Sequence, residues 1–427
     1  MVYSVEQAGE LAWEYLEQAA VFSSSDAAKG EGVSRYSLSE EHKHLCGAVL
    51  TWMEDAGMQP RMDNAANIIG RYRSATPDAP VLILGSHQDT VPNGGKYDGM
   101  LGIVVPLVMV KYCAQNHITF PFHIDVIAFS DEEGGRFRST LLGSKAASGT
   151  FVDKMLEAKD AKGISLEKAL LEFDCSPRKI PEDAYQKANT LGFIEVHIEQ
   201  GPILEQEGLP LGVVSAITGI ERHELRINGV AGHAGTVPLV HRRDALLSAA
   251  KVIVAVDEVL REETLLVGVV GRIDNHPNGV NVISDNTSIS IELRSPEDST
   301  RVQARGKITQ CIERLCKEQG VSYTLEQTYE QAAVQCCPKL SRYLANALKQ
   351  IGQPVKTLFS GAGHDGLAMH HLCPIAMLFV RCDQGISHNP AESITQHDLL
   401  LAIKTLLSTC EGLSTPSPLI TLEEERQ

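Results

Sequence analysis

Four short apolar runs, each leading into histidine and acidic side chains, constrain this chain more than any other feature. Val81-Leu-Ile-Leu enters Gly85-Ser86-His87. Phe122-His-Ile-Asp-Val-Ile-Ala-Phe enters Ser130-Asp131-Glu132-Glu133. Leu191-Gly-Phe-Ile-Glu-Val-His-Ile carries His197 and leads to Gln200, and Ile375-Ala-Met-Leu-Phe-Val precedes Ile386-Ser387-His388. Runs this short and continuous are expected of strands buried on both faces. Between the first two, Asp98 to Gln115 places apolar residues at helical spacing. Strands alternating with helices predict an α/β fold, a mostly parallel sheet with helices on both faces. Ligands of such sheets bind at the carboxyl ends of the strands, where these clusters fall.

The first 70 residues read mainly as helix, with Ser37 or Ser39 as a cap ahead of two glutamates. Residues 214–330 differ in texture. Thr287-Ser-Ile-Ser-Ile-Glu-Leu-Arg alternates strictly, and Leu246, Ala249, Ile253, Val256 and Leu260 recur at helical spacing. A second helix around Ile308 and Ile312 stops at Gly320, and Val321 to Leu325 is a last short strand. Two helices on a four-stranded sheet with one buried face make a small α+β module. It interrupts a discontinuous larger domain, residues 1–213 and 331–427, and the residues from Ser414 read as a loose tail.

A chain of 427 residues is too long for one core. Its net charge of −16 disfavours nucleic acid and anionic membranes as partners. No stretch approaches the roughly 20 apolar residues of a membrane span, and the N-terminus lacks the pattern of a signal peptide. Ten cysteines without a disulfide-like spacing read as reduced thiols of a cytoplasmic protein.

Singly, the strand-end residues are weak signals. A histidine there is more often a hydrogen-bonded core or surface residue, an aspartate in a Gly-rich loop is usually turn chemistry, and a Glu-Glu pair is usually a solvated face. Together they are stronger: His87, Asp98, Glu133, His197 and His388 would converge at one edge of one sheet. Mixed imidazole and carboxylate donors suit Zn²⁺ or Mn²⁺. Five are too many for one tetrahedral ion and suit two ions bridged by a carboxylate. Asp89, two residues after His87, is expected to accept the other imidazole N–H. Of the adjacent Glu132 and Glu133, one would bind metal and the other handle protons.

The motifs Gly-Ser-His-Gln-Asp-Thr, Tyr-Asp-Gly, Glu-Glu-Gly-Gly-Arg-Phe, His-Ile-Glu-Gln-Gly-Pro, Gly-His-Ala-Gly and Gly-Ile-Ser-His-Asn-Pro occur in this order within a resemblance that covers about residues 40 to 410. In this the chain resembles the M20 metallopeptidase superfamily, in its branch of allantoate amidohydrolases and N-carbamoyl-L-amino acid hydrolases. The resemblance implies two divalent ions per subunit, Zn or Mn. Asp98 would bridge them, His87 and His197 would complete one, and Glu133 and His388 the other. It implies Glu132 as general base, with Asp89 among the catalytic residues. It implies that the inserted module is a ferredoxin-like lid and dimerisation domain. Its His233 would reach the partner subunit's site in a homodimer and stabilise the tetrahedral intermediate. Arg294 and Asn281 would bind the substrate carboxylate. Gln200 would contact the ureido group, and the glycine loop containing Gly361 and Gly363 would meet the substrate through backbone amides. His364 and Asp365 are expected to support ligands rather than bind metal.

The expected substrate is a small ureido acid. Allantoate is preferred, because the segment Met377-Leu-Phe-Val-Arg-Cys382 before Gly-Ile-Ser-His resembles that of allantoate enzymes, and N-carbamoyl-L-amino acids are the alternative. A dipeptidase is disfavoured by the Gln200 and His197 context, and a catalytically inactive metal-binding protein by the presence of the base and all five ligands.

Overall fold

The computed structural model describes residues 3–26 and 29–414. The chain divides into two compact units. The larger combines the chain up to Ser215 with Cys336–Leu358 and the chain from His364 onward. The smaller combines Ala216–Gln335 with Phe359–Gly363.

In the larger unit, a helix at Val5–Val21 opens with a Ser4–Gln7 capping box. The next, Glu40–Asp55, is capped by Ser39, whose hydroxyl accepts the His42 N–H at 3.2 Å. The chain then departs from the expected helix. Gln59–Met62 and Ile68–Tyr72 form an antiparallel pair at the edge of the main sheet. Seven strands of that sheet run in the order Gln59–Met62, Ile68–Tyr72, His123–Phe129, Val81–His87, Thr190–Ile198, Ile375–Val380, Leu211–Ile217. The four in the middle are mutually parallel, and the strands outside them pair antiparallel. The sheet is therefore mixed, and its parallel part is confined to the four strands predicted from their apolar runs. Every residue of Val81–His87, His123–Phe129 and Ile375–Val380 is buried. This double-sided burial is why the runs are continuous rather than alternating. The helix Met100–Gln115 is buried along nearly its whole length. It begins at Gly99, whose φ of +69° favours glycine and where a Cβ would lie 2.4 Å from the His87 carbonyl oxygen.

The smaller unit has a four-stranded antiparallel sheet ordered Ser322–Gln331, Gly219–Asn228, Asn286–Ser295, Val267–His276. Asn286–Ser295 alternates between buried and half-exposed along its length. Its inward Ile289, Ile291 and Leu293 pack with Val252 and Val256 of the helix Ala245–Glu262 and Ile308 and Ile312 of the helix Asp298–Gln319. The last strand runs to ten residues where about five are expected. Phe359–Gly363 joins this unit, with Ser360 accepting the Thr218 N–H at 3.0 Å.

All ten cysteines are unpaired. Among the described residues, no helix is long and apolar enough to cross a membrane. The tail expected beyond Ser414 lies outside the described residues.

Candidate metal centre

The four parallel strands deliver their charged residues to one edge of the larger unit. His87 ends its strand, His197 lies one residue before the end of its own, and Glu132 and Glu133 follow the strand that ends at Phe129. Asp98, in the turn before the buried helix, stands at their centre. Its Oδ1 is 3.4 Å from His87 Nε2 and 3.1 Å from His197 Nε2. Its Oδ2 is 3.2 Å from His388 Nε2, which lies 3.5 Å from Glu133 Oε1. The five expected ligands therefore sort into two groups sharing one carboxylate: His87, Asp98 and His197, and Asp98, Glu133 and His388.

Hydrogen-bond direction tests whether this donor set fits cations. His87 Nδ1 lies 2.9 Å from the Asp89 carbonyl oxygen, and His197 Nδ1 lies 2.9 Å from that of Ile198. A carbonyl only accepts, so each Nδ1 carries the proton and each neutral ring presents a lone pair at Nε2. Both lone pairs face Asp98 Oδ1, itself an acceptor. Asp98 Oδ1 and His197 Nε2 are buried without a hydrogen-bond partner. Three acceptors facing one another repel unless something positive lies between them, so the residues present fit a divalent cation.

The same crowding governs the acidities. Burial alone would raise the Asp98 carboxyl, but the imidazoles of His197, His388 and His87 hold it well below its ordinary value. Burial works against protonation of His87 and His197, yet Asp98 pulls both upward. The Asp98 contact likewise raises His388. Burial lifts Glu132 well above the carboxylate range, with His87 opposing and Glu133, Asp365 and Asp89 adding to it. Burial raises Glu133 to about 7, opposed by His87 and assisted by Asp98 and Asp89.

Asp89 differs from expectation. The imidazole proton of His87 meets the Asp89 backbone oxygen, while the nearest carboxylate oxygen is 3.8 Å from Nδ1. The carboxylate instead accepts the Glu132 N–H at 3.0 Å and the Glu133 N–H at 3.1 Å. It anchors the loop of paired acids because two fixed backbone donors are better placed for it than the ring.

Gln200 donates its amide to Asp98 Oδ2 at 3.0 Å and leaves Oε1 buried and unpaired. Gln200 and His388 both adopt left-handed backbone, φ +57° and +54°. That conformation is unfavourable for side chains with a Cβ and concentrates at functional sites. His364 packs edge-on against His197 with ring centroids 4.5 Å apart. Asp365 is fully buried with both carboxylate oxygens unpaired.

The other predicted residues belong to the smaller unit. His233 is exposed, on a two-residue strand paired with Val282–Ile283. Its Nδ1 accepts the Gly235 N–H at 3.1 Å, so the neutral ring carries its proton on Nε2. The neighbouring Asn281 accepts the Ala234 N–H at 3.0 Å through its carbonyl. Arg294 donates Nε to Glu292 at 2.7 Å and Nη1 to the Gly361 carbonyl at 2.7 Å. The glycine loop therefore engages Arg294 through a carbonyl, where an amide contact to substrate was expected of it. Gly363 ends the same short segment of this unit.

The segment behind the allantoate preference carries no free recognition group. Met377 to Val380 is buried strand, Arg381 is held by Asp398 at 2.8 Å, and Cys382 is buried. Its side chains are taken up by packing and by the Asp398 ion pair.

Pattern reading missed Glu195, Ser387 and Glu392. Glu195 accepts the Ser86 hydroxyl at 2.7 Å and groups with His197 and His364. Its signal was available, since it lies two residues before His197 on one strand and so shares a face with it. Glu392 and Ser387 flank His388, but their contacts with the Asp98 turn depend on tertiary structure.

The family model for peptidase family M20/M25/M40 matches residues 83–412. An N-carbamoyl-L-amino acid amidohydrolase of Geobacillus stearothermophilus is 38% identical over 378 residues, covering 88% of this chain and 92% of that protein. Allantoate deiminase 1 of Glycine max is 37% identical over 415 residues, covering 90% and 86%. Among solved structures, an amidase of the hydantoinase/carbamoylase family from Burkholderia multivorans superposes with a TM-score of 0.88 at 28% identity, covering 95% of this chain and 98% of that one.

Proposed function

The chain belongs to peptidase family M20/M25/M40 and, within it, to the hydantoinase/carbamoylase branch, and from that premise we propose that it hydrolyses N-carbamoyl-L-amino acids to the amino acid, carbon dioxide and ammonia. The broader activity follows from the branch and the clustered ligands: it is a metal-dependent amidohydrolase acting on a ureido C–N bond, not a peptide bond. The arrangement of Asp98, with one oxygen toward His87 and His197 and the other toward His388, carries the reading.

In this proposal two divalent ions would be held by residues that share Asp98, one with His87 and His197 and the other with Glu133 and His388. Zn²⁺ and Mn²⁺ both suit such donors. Ions held there would supply Lewis acidity, lowering the pKa of water from about 15.7 toward about 7 and polarising a ureido carbonyl. Glu132 removes a proton from the attacking water and delivers it to the departing nitrogen. The Asp89 carboxylate fixes the Glu132 backbone. Gln200 Oε1, buried and unpaired, is free to accept a ureido N–H. Arg294 offers its remaining guanidinium N–H groups to the substrate carboxylate, with the Gly361 backbone beside it; Asn281, expected with it, stands instead next to His233, its backbone carbonyl accepting the Ala234 N–H. His233 donates from Nε2 to the developing oxyanion of a partner subunit's substrate. The exposed Val267, Val269 and Ile273 on the edge strand of the smaller sheet support a homodimer formed through that unit.

Allantoate is the second reading, favoured by the plant deiminase likeness. It too joins a carboxylate to a ureido carbon, so the same groups serve it. Ammonia release from a panel of N-carbamoyl-L-amino acids and from allantoate, after loading with Mn²⁺ or Zn²⁺, separates the two. A kcat/KM at least tenfold higher on a carbamoyl amino acid is expected, and the opposite ratio overturns the substrate assignment. Release from neither, with Glu132→Gln behaving like wild type, overturns the enzyme assignment.

A further inference from the structure

Glu392 is 4% exposed, yet its sequence position, four residues past His388 in a loop, gives no reason to bury a carboxylate. Its partners supply the reason. Oε1 accepts the backbone N–H of Tyr97 at 2.9 Å and of Asp98 at 3.0 Å. Oε2 accepts the Ser387 hydroxyl at 2.9 Å. Ser387 Oγ also lies 3.3 Å from Asp98 Oδ2 and 3.3 Å from Gln200 Nε2. The carboxylate occupies a space that only glycine at position 95 leaves open, since a Cβ there would come within 2.0 Å of Glu392 Cδ and Oε1.

These contacts join two segments that meet nowhere in sequence, the turn carrying Asp98 and the loop carrying His388. The loop needs such support. The rings of His87 and His197 are buried and fixed by Nδ1 bonds to carbonyl oxygens, whereas the His388 side chain is 48% exposed and its backbone is left-handed. A ligand on a loop is held to its geometry by the groups around it, and outer partners of ligands typically govern about 10–100-fold in metal affinity.

We propose that Glu392 is a positioning residue that fixes the His388 loop against the Asp98 turn, and with it the cation site formed by Asp98, Glu133 and His388; the other site shares Asp98 but keeps its geometry through the rings of His87 and His197, each fixed by its own Nδ1 contact. The inference rests on the two-cation reading above. The test is calorimetric titration of the metal-free, full-length protein with Mn²⁺, beside kcat and KM. In Glu392→Ala, one of the two dissociation constants rises roughly 10–100-fold while the other stays unchanged. The kcat falls at limiting Mn²⁺ and recovers in excess Mn²⁺, with KM constant. Glu392→Gln, which still accepts both backbone N–H groups, restores both constants to within about threefold of wild type. Gly95→Ala, which displaces the carboxylate without altering it, reproduces the selective loss and carries the test if Glu392→Ala does not fold. Two unchanged constants, or two that weaken together, overturn the positioning role while leaving the two-cation reading standing. A wild-type protein that binds fewer than two ions overturns that reading and this one together.

Discussion

The edge of the larger sheet and the open face of the smaller one use the same side-chain types to opposite ends. On the smaller sheet, opposite charges meet one another. Glu292 lies between Arg222 and Arg294, and Arg272 lies against Glu224 and Asp274. These groups are partly exposed, and water shares the burden of solvating them. At the edge of the larger sheet, Asp98, His87 and His197 are buried, and acceptors face acceptors. Charges that satisfy each other stabilise a fold weakly and hold geometry. Charges left unsatisfied in a dry site make a fold wait for a ligand.

The sharpest way to break this contrast is to remove the shared carboxylate. Asp98→Asn is expected to lower metal content from two ions to fewer than one per chain and activity by roughly 10³-fold or more, as read by elemental analysis and ammonia release. Retention of both ions would mean that the two ligand groups do not share Asp98. Glu132→Gln should keep both ions and lose about 10²–10⁴-fold in kcat, which separates proton transfer from binding. In the smaller unit, Arg294→Ala removes one charge-assisted contact worth about 1.5–3 kcal/mol. It should raise KM roughly 10–100-fold with a smaller change in kcat and no change in metal content. Arg222→Gln, on the paired face, is expected to shift stability by less than about 1 kcal/mol in denaturant melts.

The contrast also has a pH signature. His87, His197 and His388 are raised in the folded chain by Asp98, and Glu132 and Glu133 by burial, Glu133 to about 7. Above pH 6.5 the folded metal-free chain therefore holds more protons than the unfolded one. Stability then rises as pH falls from 8 to 6.5 and is lost as pH climbs through the raised folded values. Metal-loaded protein should show the reverse trend, because protons and cations compete for the same atoms. Thermal melts of both forms across that range check the sign, and identical profiles would count against a shared set of donors.

Much of this was legible beforehand because burial on two faces and helical spacing leave marks in composition. The runs at Val81, Phe122, Leu191 and Ile375 are strands, and each carries its charged residues to one edge. The hairpin Gln59–Tyr72 was hidden because its exposed strand, Gln-Pro-Arg-Met, has neither an apolar run nor alternation. The role of Asp89 was misjudged because sequence gives proximity to His87 but not the direction of a carboxylate. The allantoate preference rested on a likeness at Met377–Cys382, and a likeness in a packed segment does not distinguish two ureido acids.

From sequence alone came the candidate donors, the strands that deliver them and the change of pattern over residues 214–330. All of these depend on periodicity and residue type. The tautomers of His87 and His197, the hold of the Asp89 carboxylate on the Glu132 and Glu133 amides, the burial of Glu392 against Tyr97 and Asp98, and the capture of Arg294 by Glu292 and Gly361 were decided only by tertiary structure. Each depends on where an atom points after residues far apart in the chain have met, and hydrogen-bond direction is a property of that meeting.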